Sequence, residues 1–281
     1  MIRLHFFLFL CFNTTKHKFM RKDIIIPVDF SETALNAARY AATMLGNRAD
    51  VHVILYNMFE EDDESENAIQ YLESLKVEMK EKSVLNVECI TEQGDDLIDC
   101  LGRLAYQKNA ELIVMGISEK EEWKQLFFGS NTLKMAEQNI CPVMIIPPDA
   151  SYSGIKNIAL ASDFENVDAT PVLAIKTILQ MFNASLHIVN VNSEHYVSLT
   201  DKYLEERNKM QKMFEEFNPE FYFIGMSDFY EAIGQFSIDK KIDLIIIIPK
   251  SKSSFITSLL HESHTKKLAF NSQVPLLAAH Q

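Results

Sequence analysis

The chain has 281 residues, 47% of them hydrophobic and 23% charged, with 8 glycines and 8 prolines. That composition excludes a disordered, collagenous or coiled-coil chain, and the length suits one or two domains. Against 39 acidic residues stand 27 basic ones, a net charge of −12, which argues against a broad nucleic-acid-binding face yet leaves room for a small anion site.

Residues 1–19 read differently from the rest. Leu4 to Phe12 is an apolar run of nine residues broken only by His5, under half of the roughly 20 needed to span a bilayer. Arg3 and the apolar run resemble a short signal peptide, but Asn13-Thr-Thr-Lys-His-Lys follows in place of a small-residue cleavage site. The favoured reading is a natural start at Met20, since Met20-Arg21-Lys22 leads straight into a strand; a signal or anchor and an extra ordered segment are the alternatives. Two units are expected beyond it, 20–148 and 149–281.

From Met20 onward one pattern is written twice. Asp23-Ile-Ile-Ile-Pro-Val-Asp29-Phe30 returns as Ile158-Ala-Leu-Ala-Ser-Asp163-Phe164. Val51 to Asn57 returns as Leu186 to Asn192, with His52 against His187. Glu111 to Gly116 is echoed by Asp243 to Ile248, and Cys141-Pro142-Val143 by Val274-Pro275-Leu276. Landmarks in one order at offsets of 132 to 135 residues indicate a tandem duplication.

The strands are short continuous runs of Ile, Val and Leu, as expected when both faces of a parallel sheet are covered. Between them, Ala34, Ala37, Ala38, Ala41 and Leu45 keep helical spacing behind Ser31. Ile69, Leu72, Leu75 and Met79 mark the next helix, after the acidic run Glu60–Glu66. In the second half Thr170-Pro171 reads as an N-cap and first helical residue. Leu199, Tyr203, Met210, Phe214 and Phe217 form a later stripe, and Pro147–Gly154 is the linker. The alternation predicts an α/β fold of two doubly wound, Rossmann-like units, each a five-stranded parallel sheet with helices on both faces.

In such sheets ligands bind beyond the carboxyl ends of the strands, where strand order reverses. Asp29 ends the first strand, Gly116 ends the fourth, and Gly129-Ser130-Asn131-Thr132 opens a helix. Free backbone N–H groups, a hydroxyl and the positive end of a helix suit a phosphate, although Gly-Ser before a helix is more often a plain cap.

The run Gly116-Ile-Ser-Glu119-Lys-Glu-Glu-Trp-Lys-Gln-Leu-Phe-Phe-Gly129-Ser130 keeps the spacing of the G-x2-G-x9-G-(S/T) motif of the universal stress protein family. Pro27-Val28-Asp29-Phe30-Ser31-Glu32 and Cys141-Pro142-Val143 also resemble that family, and the resemblance covers residues 20–281. It implies an adenine nucleotide, ATP with Mg or AMP or ADP, in the first half. Asp29 would contact adenine, Asn57 would face the ribose, and Pro27, Val28, Met115, Gly116, Glu119, Gly129, Ser130 and Asn131 would line the rest.

Glu119 departs from the motif: it replaces a glycine, losing close backbone approach and adding a negative charge beside phosphates. Lys120 and Lys124 either offset that charge or are ordinary loop residues. In the second half Asp163 persists but the loop glycines are gone, leaving Lys250 and Ser263 as candidates for a small anion. The alternative is a scaffold of the same fold that binds no nucleotide and captures an unknown protein partner.

His261, His264 and His280 lack companions at metal spacing, so no metal site is expected. No GxSxG elbow, Ser-His-Asp order or intact P-loop occurs, and the chain is not expected to be an enzyme. Cys11, Cys89, Cys100 and Cys141 lack CxxC or zinc-like spacing and read as reduced thiols of a cytoplasmic protein. Neither a nucleic acid nor a membrane is an expected partner. The family's pairing habit implies that Val143–Ile146 and Leu276–Ala279 seek each other as an internal pseudo-dimer; homodimerisation of the whole chain stays open.

Overall fold

Aliphatic runs become strands whose alternate side chains enter two separate core layers. In the computed structural model, which describes residues 21–61, 64–117, 130–164, 167–192, 201–248 and 274–279, ten such strands form one sheet. The first half runs β1 (Lys22–Pro27), α1 (Glu32–Leu45), β2 (Val51–Phe59), α2 (Ser65–Glu81), β3 (Val87–Gln93), α3 (Leu97–Lys108), β4 (Leu112–Gly116), α4 (Ser130–Glu137) and β5 (Val143–Ile146). The second runs β6 (Asn157–Ala161), α5 (Val172–Phe182), β7 (Ser185–Asn192), α6 (Asp201–Met213), β8 (Glu220–Gly225), α7 (Phe229–Lys240), β9 (Leu244–Ile247) and β10 (Leu276–Ala278).

Strand order is β3-β2-β1-β4-β5-β10-β9-β6-β7-β8, so both arms repeat the same order outward from the centre. Neighbours are parallel except β5 and β10, which run antiparallel with Met144 opposite Leu277. The two five-stranded sheets expected from the sequence are therefore continuous, because their last strands hydrogen-bond to each other. Ile24, Ile26, Val53 and Leu55 share one core layer with α1, α2 and α5; Ile25, Ile54 and Tyr56 share the other with α3, α4 and α7. The α1 side is also stitched across the middle. Asn36 Nδ2 donates to the carbonyls of Pro147 and Ala150, both at 3.2 Å, and Arg48 donates to the Met181 carbonyl at the end of α5. Tyr152, between β5 and β6, packs edge-on against Tyr40.

Two details of the repeat differ from the sequence reading. Strand registers place Asp23 beside His52, but Asn157 beside Ser185, so Ser185 is the counterpart of His52 and His187 that of Ile54. The counterpart of Asn57 is accordingly Asn190, not Asn192. A two-residue slip leaves every side chain on its original face, which is why the likeness of the two histidines misleads. The second difference is at α5, which starts at Val172. A 3₁₀ turn (Val167–Ala169) precedes it, Pro171 stands at the cap, and Thr170 is buried. The Val167 N–H is taken by the buried Glu206 carboxylate of α6, which also binds Lys209 and is held below its usual range first by that lysine and then by Val167.

Two predictions follow from this packing. Leu277 is fully buried between Met144 and Ile246 at the sheet's centre. Leu277→Ala should cost about 2–5 kcal/mol, read from the urea midpoint. His187, whose ring packs beside Tyr222 and contacts Asn157 and Glu220, is pushed below its ordinary range by burial; Glu220 opposes the shift and Lys240 adds to it. The folded state thus disfavours the protonated ring, and this contribution, intact above about pH 6.5, is lost as pH falls below it. Replacing His187 with Leu should flatten that acid limb in urea midpoints measured from pH 5 to 8.

Candidate functional site

Strand order reverses between β1 and β4 in the first arm and between β6 and β9 in the second, and at these points the carboxyl ends of the strands open a crevice. At the first, Pro27 ends β1 and Val28 continues it by donating its N–H to the Tyr56 carbonyl. The chain then turns sharply through Phe30, whose φ of 61° lies in the left-handed region. For a bulky residue that conformation is strained by about 1–2 kcal/mol. Asp29 holds the turn: its Oδ1 accepts the Ser31 N–H at 3.0 Å and the Ser31 hydroxyl at 2.6 Å. Ser31 in turn caps α1 by accepting the Ala34 N–H, 3.3 Å away. Phe164 repeats the turn in the second arm, with φ 55° and its N–H donated to Ser162 Oγ.

Asn57 lies beside this turn. It is buried, and its side-chain amide donates to the Val28 carbonyl at 2.7 Å; Asn190 does the same to Ser162 at 2.8 Å. Its amide is thereby engaged in closing the end of β1. Asp29 is exposed, and its hydrogen bonds to Ser31 both fall on Oδ1.

Gly116 brings the other side of the crevice in. A Cβ at this position would lie 2.3 Å from the Thr33 carbonyl oxygen and 3.2 Å from the Ala34 nitrogen, so only glycine lets the end of β4 touch the first turn of α1. Met115, just before it, is a buried core residue. Past the loop, Ser130 opens α4 and Asn131 is half-buried. Thr132, 7% exposed, donates its hydroxyl to the Gly116 carbonyl at 2.9 Å.

The structure therefore brings Pro27, Val28, Asp29, Asn57, Met115 and Gly116 to one edge and ties the start of α4 to it. Glu119, Lys120, Lys124, Gly129 and the Ser130 side chain lie outside the described residues, as do Lys250, Ser263, His261, His264 and His280. Thr132 and Thr33 were not singled out from the sequence. The usable signal was a threonine in the first turn after Gly-Ser, a position where a hydroxyl ordinarily serves only its own helix.

The second arm is filled differently. Ile248 stands where the first arm has Gly116, and its side chain packs on the core of the α1–α5 face. Phe164 is 3% exposed beneath Tyr203, Phe221 and Phe223, whereas Phe30 is half-buried against an exposed Tyr71.

Among the described residues no group of three or more His, Cys, Asp or Glu is placed to hold a metal, and no helix is long and apolar enough to cross a membrane. Cys89, Cys100 and Cys141 are free thiols; burial pushes Cys141 up to about 12 and Cys89 to about 11. Such thiols are poor nucleophiles at neutral pH. Gly116→Ala should destabilise the protein by about 1–3 kcal/mol through the forced separation of β4 and α1, measured by urea unfolding.

Comparison with known proteins agrees with this architecture. A universal stress protein from Archaeoglobus fulgidus DSM 4304 superposes with a TM-score of 0.70 over 94% of this chain and 97% of its own, at 16% identity. A putative universal stress protein from Pseudomonas aeruginosa UCBPP-PA14 gives 0.63 at 15% identity, over 93% of this chain and 94% of its own. A functionally unknown protein from Pseudomonas aeruginosa PAO1 gives the same score and identity, covering 93% of each chain. These likenesses establish the fold. A comparison with curated proteins finds no match. Residues 20–147 match the model of the universal stress protein family.

Proposed function

We propose that the protein binds an adenine nucleotide at the first switch point and acts by changing the surface it offers to a protein partner, without chemistry of its own. The observation that carries this reading is the convergence of two helix N-termini, α1 and α4, on the end of β4 through Gly116. Each terminus supplies backbone N–H donors and partial positive charge, and the glycine removes the Cβ that would keep them apart. Asp29 at the rim is an acceptor for an exocyclic amine, and Ser130 opens the helix toward which the phosphates would lie. Mg would accompany ATP by pairing with its phosphates.

The second arm is read as a packing partner. Its switch point carries Ile248, and its helix starts only after an additional 3₁₀ turn. The antiparallel β5–β10 pairing makes the chain an internal pseudo-dimer in this reading, with a cytoplasmic location and units bounded near residue 148.

A scaffold without nucleotide is the competing reading, favoured by one observation: Asn57 and Asp29 already serve Val28 and Ser31. Mass spectrometry of ligand released from protein purified without added nucleotide, together with calorimetric titration by Mg-ATP, separates the two. The nucleotide reading predicts binding that tightens in Glu119→Gly by about 1–2 kcal/mol, through loss of a like-charge clash and of backbone strain. An empty protein that gives no heat in either form establishes the scaffold reading instead.

A further inference from the structure

We infer that Thr132 is a positioning residue that sets the distance between the two ends of the bound nucleotide. This inference rests on the nucleotide reading above and adds to it a residue outside the motif glycines and Ser130.

Thr132 lies in the first turn of α4, where a threonine hydroxyl usually serves its own helix or water. Here it is more than nine-tenths buried and reaches back sixteen residues in sequence to the Gly116 carbonyl, 2.9 Å away. Gly116 is itself fixed from two sides. Its strand pairs with β5, where Gly116 faces Ile146 and the next residue, Ile117, donates to the Ile146 carbonyl at 3.1 Å. On the other side its Cα abuts the Thr33 carbonyl in the first turn of α1. That turn is capped by Ser31, and Ser31 is held by Asp29.

A continuous path of contacts thus runs Thr132, Gly116, Thr33, Ser31, Asp29. It joins α4 to α1, two helices on opposite faces of the sheet, and it links the residue at the adenine end to the helix at the phosphate end. Neither end can move far without the other. Among the described residues of the second arm, Ile248 stands at the position equivalent to Gly116.

The test compares Thr132→Val, which keeps the shape and removes the hydroxyl, with Thr132→Ser, which keeps the hydroxyl. Calorimetry gives dissociation constants for Mg-ATP and for adenosine, and urea midpoints report stability without ligand. Loss of one buried hydrogen bond should weaken Mg-ATP binding by about tenfold in Thr132→Val. Adenosine affinity should stay at the wild-type value, and Thr132→Ser should stay within about threefold of wild type for both ligands. If Thr132→Val does not fold, Thr132→Ala carries the same expectation without a methyl group facing Gly116.

Mg-ATP binding equal to wild type in the valine variant overturns the assignment. So does an equal loss of adenosine and Mg-ATP, which marks a general packing defect, and so does failure of serine to restore binding. Wild-type protein that binds no Mg-ATP removes the nucleotide reading itself and this assignment with it, a result distinct from binding that is indifferent to position 132.

Discussion

A parallel sheet whose strand order reverses must leave a crevice where two crossovers depart to opposite faces, and the rest of this structure depends on how that crevice is closed. In the first arm backbone meets backbone: the end of β4 touches the first turn of α1, because Gly116 has no Cβ to hold Thr33 away. In the second arm Ile248 supplies a side chain, and α5 starts later behind a 3₁₀ turn. One solution leaves polar backbone at a strand edge beside two helix N-termini. The other places aliphatic surface there. The functional asymmetry proposed for the two arms follows from this one exchange of packing.

The repeat itself is maintained by contacts at both ends of the strands. Asp243 accepts the N–H groups of Lys156 and Asn157 at 2.7 and 2.9 Å, anchoring the start of β6. Asn57 and Asn190 close the ends of β1 and β6 with equivalent amide bonds, and Phe30 and Phe164 both bend the chain through a left-handed residue. Such strained turns persist where the surroundings over-determine them. Here the surroundings are the aspartate–serine turn in one arm and an aromatic cluster in the other. The two arms then share a single sheet through β5 and β10, so the stability of each is tied to the other's last strand.

Much of the fold was legible in the sequence because buried parallel strands announce themselves as aliphatic runs and a duplication announces its own period. The exceptions have physical causes. His52 and His187 look equivalent, yet the registers set them two residues apart, since a strand's alternation is blind to a shift of two. Thr170-Pro171 resembles a helix start, but the turn ahead of it is shaped by Glu206, far away in the sequence. At the candidate site Asp29 and Gly116 were legible as residues ending strands. Thr132 was not, because its partner is a backbone carbonyl sixteen residues back, and a hydroxyl at a helix start carries no sign of where it points.

The central claim is that the first switch point, and not the second, is the ligand site, with its two helix termini acting together. Hydrogen exchange of the whole chain with and without saturating Mg-ATP tests this most directly. The account predicts added protection of amides at 28–34 and at 130–136 together, with no change at 162–172. Protection confined to the second arm, or to only one of the two first-arm segments, would contradict it.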